Sequence, residues 1–299
     1  LVLACTKCEA ERLTVMLCRL LESLGFVVSY AKSVLTACHR VVFLGFVVDF
    51  VQMSVEVPQD KARSIRSLIA RCLRDATVGQ LRFAVVRSLL GKLMATDRAV
   101  VGCRPHLNRL VYEVSSRVRA GAVSGMLVLS VQTREDLQWW SDLLVEPGCL
   151  KKPLRPPAPD VVVTSDSSGV AWGGWTKERG SGRIVMAGGD WPPDHGLHNN
   201  ELELVGVINT VMSLARDMGW LEDPTVRCID ARTDNTTAMA YLNKGGGSAP
   251  HLARIVEAFL RWCHRHGLVV RGSFIPGIRN VLADGRSRRR VPVGGMALT

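Results

Sequence analysis

Residues 161–175, VVVTSDSSGVAWGGW, set the strictest condition on how this chain folds. Val161, Val162 and Val163 are apolar and β-branched without alternation, the pattern of a strand buried on both faces. That strand delivers Asp166 at or near its end, Ser167-Ser168-Gly169 turns the chain, and residues 170–175 read as the returning strand of a hairpin. A carboxylate at the end of a buried strand is costly unless something compensates it. Taken alone, Asp166 reads more readily as the residue that opens a turn. Its meaning depends on whether other acids are brought to meet it.

The chain is long enough for that. Its 299 residues are 47% hydrophobic, which suits two or three folded domains and argues against disorder. The net charge is +11 and it is unevenly spread. From Pro159 onward 16 Lys and Arg stand against 14 Asp and Glu, whereas the first 158 residues hold 22 basic and 13 acidic residues. A basic front half suits a polyanion, nucleic acid before membrane, because no long basic amphipathic helix stands out; a generic solvated basic surface is the plainer alternative. Cys5 and Cys8 form a CxxC with no second pair at zinc spacing, so the nine cysteines read as reduced, mostly packing thiols of an intracellular protein. No apolar run approaches 18 residues and no signal peptide is evident, so no membrane role is expected. A chain that opens on Leu1 reads as a fragment or a processed piece.

In order, 1–4 reads as the end of a strand, 9–24 as a helix, 26–29 as a strand, and 40–50 as two strands pivoting at Gly45. Basic helices follow over 59–74 and from an N-cap at Thr77 to about Met94, then over 102–120 and 133–144, with Trp139 and Trp140 read as core. Residues 146–159 hold five prolines and read as a linker. Beyond it the periodicity gives β-β-β-α-β-α-α-β-α, a mixed α/β sheet with flanking helices. Gly245-Gly246-Gly247 reads as a helix-breaking turn, since no Lys-Ser/Thr follows at phosphate-loop spacing. The division expected is 1–58, 59–145, a linker at 146–159, 160–290, and a tail at 291–299.

That order gives four carboxylates comparable addresses. Asp166 follows the first strand of the sheet, Glu203 lies on its first helix, Asp234 ends the fourth strand, and Asp284 lies on the last helix. Hard oxygen ligands of this kind suit Mg²⁺, and two such ions can clamp an in-line phosphoryl displacement.

The segments TSDSSGVAWGGW (164–175), NNELEL (199–204), RTDNTTAMAYL (232–242) and PGIRNVLADGRSR (276–288) together resemble the ribonuclease H family. The resemblance implies a ribonuclease H-like mixed sheet and cleavage of the RNA strand of RNA–DNA hybrids. It also implies two Mg²⁺ ions, with Mn²⁺ as a possible substitute, held by Asp166, Glu203, Asp234 and Asp284. Asp166 would bridge both ions, Glu203 and Asp234 would complete the leaving-group ion, and Asp284 the water-activating one. The chain departs from many cellular members in having no His between Phe274 and Asp284. His264 and His266 read as solvent-facing helix residues.

The front half, through LGFVVSYAKSVL (24–35), VVFLGFVVDF (41–50), VPQDKARSI (57–65) and RSLLGKLMA (87–95), is similar to the late palm, primer-gripping hairpin and thumb of a reverse transcriptase. The whole looks most like retrotransposons of the tyrosine-recombinase (DIRS-like) group. No Asp-Asp pair exists in the chain, so polymerisation is not expected of it. The resemblance implies contacts to an RNA–DNA hybrid or primer–template duplex from Leu44, Gly45, Phe46, Lys61 and Lys92 in front, and from Asn199, Asn235 and Arg286 behind. Arg286 with Arg288, Arg289 and Arg290 reads equally as a solvated tail. A non-catalytic nucleic-acid-binding remnant is the main alternative. An integrase or junction nuclease fits less well, because its last acid is usually placed differently.

Overall fold

The computed structural model describes residues 2–122, 124–146 and 150–289. The expected tail at 291–299, together with Arg290, lies outside the described residues. The chain divides into two compact units, Leu1–Val101 with Glu113–Pro156, and Gly102–Tyr112 with Pro157–Thr299.

The first unit opens with α1 (Lys7–Ser23), where Thr6 accepts the Glu9 N–H at 3.2 Å as N-cap. α1 buries none of its residues, so its apolar stripe is not core within the unit. The expected strands at 1–4 and 26–29 do not form among the described residues; no neighbouring strand offers them a ladder, and the chain instead makes a 3₁₀ turn at Tyr30–Lys32. β1 (Arg40–Phe43) and β2 (Phe46–Asp49) form the hairpin expected around Gly45. Its turn residues Leu44 and Gly45 both have positive φ, 49° and 78°, the twist that two-residue hairpins favour. β3 (Ser54–Glu56) follows.

α2 (Gln59–Thr77) runs through the residue expected to cap the next helix. The Thr77 hydroxyl bonds back to the Leu73 carbonyl at 2.9 Å, which satisfies it inside a helix. α3 (Phe83–Thr96) therefore starts later than expected, after Arg82. The helix expected over 102–120 is split: Pro105 lies in a 3₁₀ turn, Arg104–His106, and α4 (Asn108–Arg119) follows. α5 (Val131–Leu143) buries Trp140 completely, while Trp139 is half-buried and meets it edge-on at 5.5 Å. Ile65 and Ile69 of α2 and Leu89 and Leu93 of α3 are likewise fully buried. Within the stretch read as a linker, Lys151–Pro153 forms β4 and pairs antiparallel with β3. Pro153 takes this place because β4 is an edge strand, where a missing N–H costs no ladder bond.

The second unit has the expected element order. β5 (Val161–Ser167), β6 (Ala171–Lys177) and β7 (Ile184–Asp190) form an antiparallel meander. α6 (Asn199–Asp217) leads to β8 (Cys228–Thr233), which lies parallel to β5 on its other side. α7 (Thr236–Lys244) and α8 (Pro250–Arg265) precede β9 (Val269–Phe274), parallel to β8, and α9 (Val281–Ser287) closes the unit. The sheet order is β7-β6-β5-β8-β9, a mixed α/β sheet with flanking helices. Its core joins Val163 of β5 and Ile229 of β8 to Leu204, Val207 and Val211 of α6 and Val256 of α8. Gly245, at φ 66°, caps α7 in the left-handed conformation, so the glycine run is the helix-ending turn expected.

The Trp-Gly-Gly-Trp run of β6 sets the helices against the sheet. Successive strand residues face opposite sides. A Cβ on Gly174 would come within 2.5 Å of Thr210 on α6, and one on Gly173 within 2.4 Å of Arg286 on α9. Each glycine lets one helix approach one face.

Candidate metal-binding acid site

β5 and β8 are parallel neighbours, so both run out at the same end of the sheet. β5 brings Asp166 there, and the link from β8 to α7 brings Asp234. Asn235 caps α7 by accepting the Ala238 N–H at 2.9 Å, which fixes the backbone next to Asp234. The first turns of α6 add Glu203. One carboxylate oxygen from each of Asp166, Glu203 and Asp234 lies within 4.8 Å of the others.

These acids are poorly compensated by the protein. Asp166 and Glu203 are 6% and 7% exposed. Burial first, with the carboxylates of Asp234 and Asp284 adding, raises Asp166 to about 6 even though the Ser287 hydroxyl opposes the shift. Burial, then Asp166 and Asp234, raises Glu203 to about 8. Glu203 Oε2 is buried without a hydrogen-bond partner among the described residues. A buried acceptor in that state, beside two more hard oxygen donors, fits a divalent cation such as Mg²⁺.

Asp284 stands apart from this group of three. Its Oδ1 accepts from Arg288 Nε at 2.5 Å, an i,i+4 pair on the last helix, yet it is near enough to raise Asp166. The 3₁₀ turn Gly277–Arg279 closes over Asp234, where a Cβ on Gly277 would lie 3.0 Å from Oδ2. His264 sits edge-on to His106 and His266 packs by Trp262, so neither histidine joins the acids.

Sequence reasoning missed two residues here. Asn280 Nδ2 donates to the Ser165 carbonyl at 3.1 Å and lies 3.4 Å from Asp166 Oδ1, and the Ser287 hydroxyl donates to Asp166 Oδ2 at 2.6 Å. The signal was present: Asn280, Asp284 and Ser287 repeat at i, i+4 and i+7, one face of a helix.

The remaining expected contact residues are dispersed. In the first unit Leu44 and Lys92 are exposed, and Lys61 Nζ stands 4.7 Å over the Phe46 ring and 3.4 Å from the Gly45 carbonyl. In the second, Asn199 is exposed at the start of α6, and Asn235 donates to Asn200 Oδ1 at 3.2 Å. Arg286 is only 8% exposed, so it is no part of a solvated tail.

No protein-family model and no curated protein matches the chain. Among solved structures it is similar to RNase H1 from the halophilic archaeon Halobacterium salinarum NRC-1, at 19% identity over 44% of this chain and 98% of that one, with a TM-score of 0.34. It is similar to the foamy viral protease-reverse transcriptase in complex with an RNA/DNA hybrid, at 14% identity over 90% of this chain and 33% of that one, with a TM-score of 0.40. A third likeness is to the N-terminal RNase H domain of a Mycobacterium tuberculosis protein fused to maltose-binding protein, at 13% identity, 44% and 99% coverage, and a TM-score of 0.32. The chain thus spans about a third of the foamy viral chain.

Proposed function

We propose that the second unit is a metal-dependent endonuclease that hydrolyses the RNA strand of RNA–DNA hybrids, and that the chain is the ribonuclease H portion of a retroelement reverse transcriptase. The observation that carries the reading is the meeting of Asp166, Glu203 and Asp234 around a buried acceptor with no hydrogen-bond partner among the described residues. These three would hold Mg²⁺, or Mn²⁺ in its place, and Asp284 would join after leaving Arg288. The bound metal would supply an activated water and charge for the leaving oxygen.

The chain's own residues bind and orient. Asn280 and Ser287 hold the Asp166 carboxylate, and Asn235 holds the backbone beside Asp234. Glu203 presents a buried carboxylate, whose cost a bound cation would offset. In the basic first unit Lys61 and Lys92 would bind duplex phosphates, with the Leu44-Gly45-Phe46 hairpin near the primer end, and selection of RNA would rest on its 2′-hydroxyls.

The pairing of Asp284 with Arg288 favours a second reading, a non-catalytic hybrid-binding remnant. Cleavage of a labelled RNA–DNA hybrid with Mg²⁺, beside Asp166→Asn and Asp234→Asn, decides between them. Cutting that vanishes in both variants supports the nuclease. Salt-sensitive binding without cutting supports the remnant, and cutting that survives Asp234→Asn removes the site assignment.

A further inference from the structure

The helix that carries Asp284 is clasped to the strand that carries Asp166 by side chains outside the acid set. Ser287, fully buried, donates its hydroxyl to Asp166 Oδ2 at 2.6 Å. In return Ser168, just beyond β5, donates to the Ser287 carbonyl at 2.7 Å. Ser287 Oγ also lies 3.0 Å from the Asp284 carbonyl. A hydroxyl has one proton to give, and an ionised carboxylate at the shorter distance is the stronger acceptor.

Asp166 rotates about its own side-chain bonds unless something holds it. The Ser287 hydroxyl fixes one oxygen, and with Asn280 near the other the carboxylate plane is set on both sides. We infer that Ser287 is a positioning residue: its hydroxyl sets the orientation of Asp166, and so the size of the gap that Asp166, Glu203 and Asp234 leave for a cation. The inference rests on the reading of those acids as metal ligands. A purely structural role, pinning α9 to the sheet, is the alternative. Ser168 separates the two, because it forms the other arm of the clasp without touching the carboxylate.

The test is Mn²⁺ uptake by the metal-free full chain without substrate, followed through the loss of the free-ion paramagnetic signal. The unsubstituted chain, Ser287→Ala and Ser168→Ala are compared, with circular dichroism as a check on folding. Affinity is expected to fall about tenfold in Ser287→Ala and to stay within about twofold in Ser168→Ala. Equal affinity in Ser287→Ala and the unsubstituted chain overturns the inference, and so does an equal loss in both variants. Should Ser287→Ala not fold, Ser287→Thr and Ser287→Val replace it: they match in shape and differ in the hydroxyl, and equal uptake by the two overturns the inference. If the unsubstituted chain takes up no Mn²⁺, the metal reading itself falls and this inference with it.

Discussion

Arg286 lies directly over Gly173: a Cβ on that glycine would sit 2.4 Å from the arginine Cγ. The side chain continues over Gly188 of the next strand, and its Nε is buried without an acceptor. A buried N–H donor without an acceptor is a liability to the fold. Arg286→Leu, which keeps part of the packing stem and removes that donor, is expected to raise the free energy of unfolding by about 1–3 kcal/mol. Denaturant titration measures it, and a loss of stability would mean that the guanidinium has an acceptor in solution.

Gly174 supports the other face of the same strand. A Cβ there would lie 2.4 Å from the Thr164 carbonyl, a backbone atom that has no way to swing aside. Gly174→Ala is expected to cost about 3 kcal/mol through overpacking and to push α6, with Glu203, off the sheet. Thermal unfolding reports the first effect and loss of Mn²⁺ uptake the second.

The acid cluster makes the metal-free fold sensitive to alkali. Well below about pH 4 Asp166 and Glu203 are protonated whether the chain is folded or not, and burying them costs little. As pH rises toward 6 for Asp166 and 8 for Glu203, the unfolded chain has released protons that the folded one still holds. Stability therefore falls across that window. Melting temperature against pH is expected to decline from about 4.5 to 8 without divalent cation, and added Mg²⁺ should restore it at the upper end. A flat profile would contradict the burial of these groups.

Metal uptake near neutral pH should release protons, since Glu203 raised to about 8 must ionise to act as a ligand. Calorimetric titration with Mg²⁺ in buffers of different ionisation enthalpy is expected to show release of about one proton at pH 7. Glu203→Gln should remove that release, abolish uptake, and leave the metal-free chain more stable at pH 8 than the unsubstituted one.

Much of the second unit is legible in the sequence because local signals agree there. The valine run, the Asn235 cap and the Gly245 stop each act within a few residues, and they set the element order that brings three acids together. The pairing of Asp284 with Arg288 was not legible, since spacing alone does not say whether a helical acid turns to its own neighbour or to a ligand set. Arg286 misleads for a similar reason: in a run of arginines it looks solvated, and only the glycines on two strands of the sheet, β6 and β7, reveal the slot it fills. In the first unit, Thr77 has the chemistry of a cap, and its bond to the Leu73 carbonyl is decided by where α2 stops. β4 looks like linker in the sequence because its partner, β3, lies far off along the chain.

The parallel pairing of β5 with β8 also bears on how the protein comes to be folded. Asp166 and Asp234 do not meet until a long loop containing β6, β7 and α6 has closed, a slow, entropy-limited event. A chain emerging from the ribosome therefore never confronts their mutual repulsion before β8 has been made. Capture of a divalent ion would then mark the moment at which the centre of the sheet locks. The rate at which the refolding chain acquires Mn²⁺ would time that step directly.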